Sequence, residues 1–131
     1  MESTQLTLLE EETHPKVYEP ELSVGDARDL SFLQDNSVDL ICAHPPYANI
    51  IHYTDYLSFL DIEDFLKEMT RVVKESFRVL KHGKQCAILI GEIRRKKHVI
   101  PLGFKIINVY LVAGFKLREP VIKRQHNCKT T

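Results

Sequence analysis

Residues 37–47 read SVDLICAHPPY, an apolar run that stops abruptly at His44, Pro45, Pro46 and Tyr47. Two consecutive prolines lock φ and carry no N–H, so they hold the flanking chain extended and leave carbonyl oxygens free to accept hydrogen bonds. His44 adds an imidazole that donates or accepts, and Tyr47 adds a flat ring. Together they make a rigid acceptor-plus-stacking site, suited to a planar group that bears an NH2. On the tetrapeptide alone, a Pro-Pro loop carrying a half-buried tyrosine is an equal reading.

The second set of candidate residues is the cationic run Arg94, Arg95, Lys96, Lys97 and His98. The 131-residue chain has a formal net charge of zero, but the charges are not evenly spread. Residues 1–40 carry ten acids against Lys16 and Arg28, whereas residues 94–131 carry ten Lys/Arg against Glu119 alone. A basic C-terminal third is a candidate surface for an anionic partner such as nucleic acid. By charge alone, a solvated face is the simpler reading. Cys42, Cys86 and Cys128 are odd in number and far apart, which argues for reduced thiols rather than a disulfide framework. Cys128 with His126 supplies too few ligands for a metal, and none is expected.

The elements that must position these residues can be read from period and punctuation. The polar, acidic residues 1–15 predict a flexible arm, and residues 16–131 a single domain. Residues 16–24 hold a weak strand pattern interrupted by Pro20. GDARDL at 25–30 predicts a turn into a short helical piece around Leu30–Leu33. Val38–Ala43, bounded by turn signals, predicts a strand buried on both faces. In Asp61–Leu80, Ile62, Phe65, Leu66, Met69, Val72, Val73, Phe77 and Leu80 recur at helical spacing and predict an amphipathic helix. Asp61 suits its N-cap, Asp64 its first turn and Gly83 its stop. Gln85–Gly91 predicts a second apolar strand, 94–98 a basic loop, Pro101–Ala113 a helix stopped by Gly114, and Phe115–Arg124 a last strand.

Strand, helix, strand, helix, strand predicts an α/β sheet with helical crossovers. Ligands of such sheets gather outside the carboxyl ends of the strands. HPPY leaves one strand there and GEIRRKKH leaves the other. If the two strands are parallel, the basic run stands beside the tetrapeptide, which favours a functional reading of both.

The order of these segments resembles the DNA amino-methyltransferases. GDARDLSFLQDNSVDLICAHPPY is similar to the segment that carries their catalytic motif IV, usually Asp, Asn, Ser or Thr followed by Pro-Pro and Tyr, Phe or Trp. The resemblance continues through ESFRVLKHGK, CAILIGEIRRKKHVIPLGF and IKRQHNC, and covers roughly residues 16–131. It implies a Rossmann-like methyltransferase sheet, mostly parallel, here incomplete relative to the family. It implies methyl transfer from S-adenosylmethionine to adenine N6 or cytosine N4 of a base flipped out of DNA. Gly25, Asp26 and Ala27 would lie near the cofactor adenine. Tyr47 would stack on the base, and the His44 side chain and Pro45 carbonyl would accept hydrogen bonds from its amino group, with Pro46 completing the motif. The methyl would move by in-line displacement without a metal, so catalysis is mainly positioning and electrostatics. Arg94, Arg95, Lys96 and Lys97 would hold phosphates.

Two departures from the family pattern bear on this. His44 stands where the family has Asp, Asn, Ser or Thr, which blurs the choice of base, with a slight lean to cytosine N4. A neutral imidazole accepts a hydrogen bond and a protonated one does not, so this role ties activity to neutral His44. The chain also contains only Gly25, Gly83, Gly91, Gly103 and Gly114, with no GxG cofactor loop. The expectation is a catalytic half that needs a second subunit, a homodimer partner or a missing segment to complete the cofactor site. Two alternatives stand beside it: an RNA or protein N-methyltransferase, and an inactive nucleic-acid-binding or assembly subunit. His52, Tyr53, Asp55 and Tyr56 could line a base pocket, and Glu92 with Arg94 reads best as a surface ion pair. No apolar run reaches a membrane span and the N-terminus is acidic, so the expected location is cytoplasmic.

Overall fold

The computed structural model describes residues 15–45 and 59–126. Strand β1 (Val38–Ala43) leads to helix α1 (Phe59–Val79), which passes directly into strand β2 (Leu80–Ile88). A short hairpin of β3 (Ile93–Arg95) and β4 (His98–Ile100) follows, and then helix α2 (Leu102–Ala113). β1 and β2 pair in parallel, and β3 and β4 pair antiparallel. The α/β reading holds, with the helical crossover that a parallel pair requires.

The apolar stripe of α1 does what its period predicts. Ile62, Phe65, Met69 and Val73 are buried against Leu102 and Ile106 of α2 and Ile93 of β3. Phe77, at the edge of that stripe, remains 45% exposed. Its ring meets Phe115 edge-on, with centroids 5.2 Å apart. Gly114 ends α2 in the left-handed region at φ 116°, and a Cβ there would stand 2.9 Å from the Phe77 ring, so this turn needs glycine on both counts.

Several elements differ from the sequence expectation, each for a local reason. α1 spans Phe59–Val79, so Asp61 and Asp64 lie inside it rather than at its cap and first turn. Gly83 does not stop the helix. It lies within β2 at φ 76°, where the β1–β2 register slips between Val38↔Leu80 and Leu40↔Gln85. The extra residues of this bulge carry Lys81, whose Nζ donates to Asp39 Oδ1 at 2.9 Å. Residues 30–33 form one turn, closed by Leu33 N to Leu30 O at 2.8 Å, not a helix. The basic run 94–98 is the turn and flanks of the β3–β4 hairpin rather than an irregular loop. Residues 16–24 and 115–124 are not strands here. Val121 and Ile122 are 84% and 91% exposed, so an apolar pattern alone did not recruit a pairing partner. β1 is not buried on both faces either: Leu40 is 59% exposed, because the described sheet has two strands and no layer over that side.

The approach to β1 is fixed by polar contacts to α1. Arg78 donates from Nη1 to Leu33 O at 2.9 Å and Asp35 Oδ1 at 2.8 Å, and from Nη2 to Leu30 O at 2.9 Å. Its Nε and Nη2 also meet the two oxygens of Glu75 at 3.0 and 2.9 Å, a bidentate pair. Glu75 Oε2 accepts the Leu30 N–H at 2.7 Å. Backbone bonds from Asn36 N to Arg78 O and Ser37 N to Val79 O then set the first residue of β1 against the end of α1.

This cluster gives the fold an acid-sensitive joint. The Arg78 guanidinium and the Leu30 N–H hold the Glu75 carboxyl down to about 2, from an ordinary 4.5. A depressed folded value means that the contribution is complete above pH 4.5 and is lost as pH falls toward 2. The melting temperature should therefore fall steeply on acidification below about pH 4.5. Glu75→Gln should melt lower at neutral pH and show a smaller acid-dependent drop. Equal drops in the two proteins would show that Glu75 is not the joint.

Candidate functional site

Because β1 and β2 are parallel, their carboxyl ends open on one edge. Ala43 pairs with Ile88, and the Leu89 N–H then donates to Ala43 O at 2.9 Å. His44 therefore leaves β1 beside the start of the segment that runs from Leu89 to the hairpin. His44 is exposed and Pro45 is half-buried. Pro46, Tyr47, His52, Tyr53, Asp55, Tyr56 and Cys128 lie outside the described residues.

The basic hairpin is tethered to the same edge. From Ile90 the chain passes through Gly91 and Glu92 into β3. Glu92 Oε1 accepts the Gly103 N–H at 3.0 Å. Gly103 is in the first turn of α2, where N–H groups lack helical partners, and the N-cap residue Pro101 offers no side-chain bond. A carboxylate here satisfies an orphan donor and faces the positive end of the helix dipole. A Cβ on Gly103 would come within 2.6 Å of that oxygen, so the glycine leaves room for the cap. Glu92 is thus a helix cap rather than half of an ion pair with Arg94. Sequence reasoning missed this because the two partners are eleven residues apart and only the hairpin brings them together.

The hairpin base is fixed by burial. Ile93 pairs with Ile100 across the ladder, Ile93 is buried and Ile100 packs on the core cluster. Arg94, Lys96 and Lys97, one pair further out and at the turn, are exposed. Away from the core the hairpin therefore carries Arg94, with Val99 opposite it, and the two turn lysines.

Gly25, Asp26 and Ala27 sit on the other approach to this edge. The Arg28 N–H donates to Asp26 Oδ1 at 2.9 Å, an Asx-type turn that the Asp-Ala-Arg spacing could have signalled. Arg28 Nε reaches both Asp26 oxygens at 3.0 Å, and Nη1 reaches Glu68 Oε2 on α1 at 2.7 Å. The Arg28 side chain and N–H hold the Asp26 carboxyl down to about 2. Glu68 stands eleven residues before Val79, or about 16 Å along the helix at 1.5 Å per residue. Since α1 runs back from the carboxyl edge to the start of β1, the Asp26 turn lies well toward the His44 end. A Cβ built on Gly25 meets nothing within 4 Å, so the backbone there is open to approach. The Asp26 oxygens are largely taken by Arg28, while the backbone at Gly25 stays open.

The two described thiols, Cys42 and Cys86, do not face each other. Cys86 is half-buried and its thiol is pushed up by that burial; Tyr110 beside it is pushed up for the same reason. Cys86 pairs with Ile41 and Cys42 with Ala87, so the two cysteines point to opposite faces of the sheet. Both are free. No group of three or more His, Cys, Asp or Glu gathers as a metal site among the described residues. No described helix is long and apolar enough to cross a membrane.

The DNA methylase family model N6_N4_Mtase matches residues 38–131. The type II methyltransferase M.MjaVI of Methanocaldococcus jannaschii is 26% identical over 95 residues, which are 72% of this chain and 49% of that protein. The type II beta methyltransferase M.BslI of a Bacillus species is 28% identical over 109 residues, 75% of this chain and 12% of that protein. In three dimensions the chain resembles TTHA0409 of Thermus thermophilus, provisionally named a DNA modification methylase and crystallised with S-adenosyl-L-methionine. The TM-score is 0.59 at 30% identity, over 76% of this chain and 49% of that one. The chain thus spans about half the length of M.MjaVI and TTHA0409, and far less of M.BslI.

Proposed function

This chain belongs to the DNA methylase family, and on that premise we propose that it carries the base-binding half of an S-adenosylmethionine-dependent DNA methyltransferase. The observation that carries this reading is the parallel β1–β2 pair, which opens His44 and Pro45 at the same sheet edge as the Leu89–Glu92 segment. The substrate is the exocyclic amino group of a flipped base, cytosine N4 or adenine N6.

Each residue has a defined task. His44, through a neutral ring nitrogen, and the Pro45 carbonyl accept hydrogen bonds from the base amino group and turn its lone pair out of conjugation. Pro46 holds the carbonyl in place by its fixed φ. Tyr47 stacks on the base face. Gly25, Asp26 and Ala27 flank the adenine end of the cofactor through their open backbone. They fit only that end, for the chain has no GxG loop to accept the methionine part. When bound, S-adenosylmethionine supplies an electrophilic methyl group. The two-stranded sheet and the chain's share of its relatives' length support completion of the cofactor site by a second subunit, a second copy or further chain.

Methyl transfer tests the reading directly. The purified protein is incubated with isotopically labelled S-adenosylmethionine and unmethylated DNA, and the nucleosides are weighed by mass spectrometry. Labelled N4-methylcytosine or N6-methyladenine is the expected product and names the atom. Label in RNA or in peptide, with none in DNA, would overturn the substrate assignment. No label in any acceptor, and no rise in melting temperature at millimolar S-adenosylmethionine, would overturn the enzymatic one and favour a binding subunit.

A further inference from the structure

The turn of the β3–β4 hairpin breaks the rule that its geometry sets. Lys96 and Lys97 are both at positive φ, 43° and 70°, as the central residues of a type I′ turn. Such turns favour Asn-Gly because an L side chain with a Cβ is disfavoured in the left-handed region. This chain places two lysines there instead. Gly114, by contrast, shows glycine used where a positive φ is needed. A local preference overridden without any gain in packing points to a gain elsewhere.

The side chains show what is gained. Among the described residues between Asp26 and Lys81, Arg28, Arg71, Arg78 and Lys81 meet carboxylates and Lys67 and Lys74 do not. Arg94, Lys96, Lys97 and His98 meet none among the described residues. All four are exposed. Ile93, buried in the core, and the Glu92 cap on α2 hold the base of the hairpin, which follows the carboxyl end of β2. A two-stranded ribbon whose turn carries two exposed lysines matches a polyanion with regularly spaced charges.

We propose that the β3–β4 hairpin is a phosphate clamp for duplex DNA, with Lys96 and Lys97 kept in a conformationally disfavoured turn for their charge. This rests on the DNA methyltransferase reading and adds to it a specific element and a division of labour. The ribbon grips the backbone beside the base that His44 and Tyr47 hold, and it confers affinity without sequence choice. Neither lysine touches the reacting atoms.

The turn type supplies a discriminating variant. Lys96→Asn with Lys97→Gly installs the residues that the turn prefers, so the hairpin is kept while two cations are removed. Binding of the full chain to a fluorescent duplex is followed by anisotropy over a salt series, with melting temperature as a fold check. The variant is expected to melt no lower than the wild type. Its slope of log affinity against log salt should be shallower by about 1.8, or 0.9 for each lost phosphate contact. A wild-type protein with no salt-dependent duplex binding would overturn the clamp. So would an unchanged slope in the variant. The nucleoside assay stands apart from these arms: methylated DNA with an unchanged slope sinks the clamp and leaves the methyltransferase intact. A changed slope with no methylated nucleoside does the reverse.

Discussion

Replacing His44 by alanine should lower methyl transfer by roughly 10²–10³-fold, the loss typical of removing one preorganised hydrogen-bonding group from a site of developing charge. The amino nitrogen must give up its conjugation with the ring before it can attack. An acceptor on its N–H strengthens as positive charge builds there, so its contribution is larger in the transition state than in the ground state. His44 is exposed at the end of β1. Melting the variant beside the wild type separates a chemical effect from an unfolded protein. His44→Asn should recover most of the activity, since an amide oxygen accepts from the same place. Rates compared at saturating DNA and S-adenosylmethionine check this. An alanine variant as fast as the wild type would remove His44 from the reaction.

The second large effect is on stability. Ile106 of α2 is fully buried, among Val73, Met69 and Leu102. Ile106→Ala removes three carbons from a site where two helices meet, and costs about 2–5 kcal/mol from lost burial and the cavity left behind. That is a large part of the ~5–15 kcal/mol by which a domain is ordinarily stable. Among the described residues the buried apolar ones are few: Ile62, Phe65, Met69, Val73, Val79, Leu80, Ile93, Leu102 and Ile106. Thermal melts should show a drop of roughly 10 °C or more. Leu117→Ala, at a site 52% exposed, should move the melting temperature little. Similar shifts for the two would mean that the α1–α2 contact does not carry the fold.

The features legible in the sequence share one property: they depend on neighbours within a few residues. The stripe Ile62, Phe65, Met69, Val73 is a consequence of 3.6 residues per turn, and it became the buried face of α1. Gly114 ends α2 because its φ suits no other residue well. The apolar run Val38–Ala43 became a strand, and its parallel pairing with β2 brought the two carboxyl ends together as the α/β pattern implied. His-Pro-Pro-Tyr was conspicuous for the same local reason, since paired prolines dictate backbone shape whatever surrounds them.

What the tertiary structure alone decided depends on contacts between distant residues. Phe115–Arg124 has a strand pattern yet forms no strand, because a strand exists only where another edge supplies its hydrogen bonds. Arg28 and Arg78 looked like ordinary surface cations, but folding set Arg28 on Glu68 of α1, and Arg78 of α1 on Asp35 and on the Leu30 and Leu33 carbonyls, and these contacts fix the path into β1. Glu92 became a helix cap because the hairpin returned α2 to it. The run 94–98 was legible as charge but not as shape. Lys96 and Lys97 adopt a turn that their own preferences oppose, and only the pairing of Ile93 with Ile100 on the core makes that turn the lower-energy path. Local sequence determined which segments could be helix, strand or rigid turn. Long-range packing decided how those segments paired and which side chains from distant parts of the chain met.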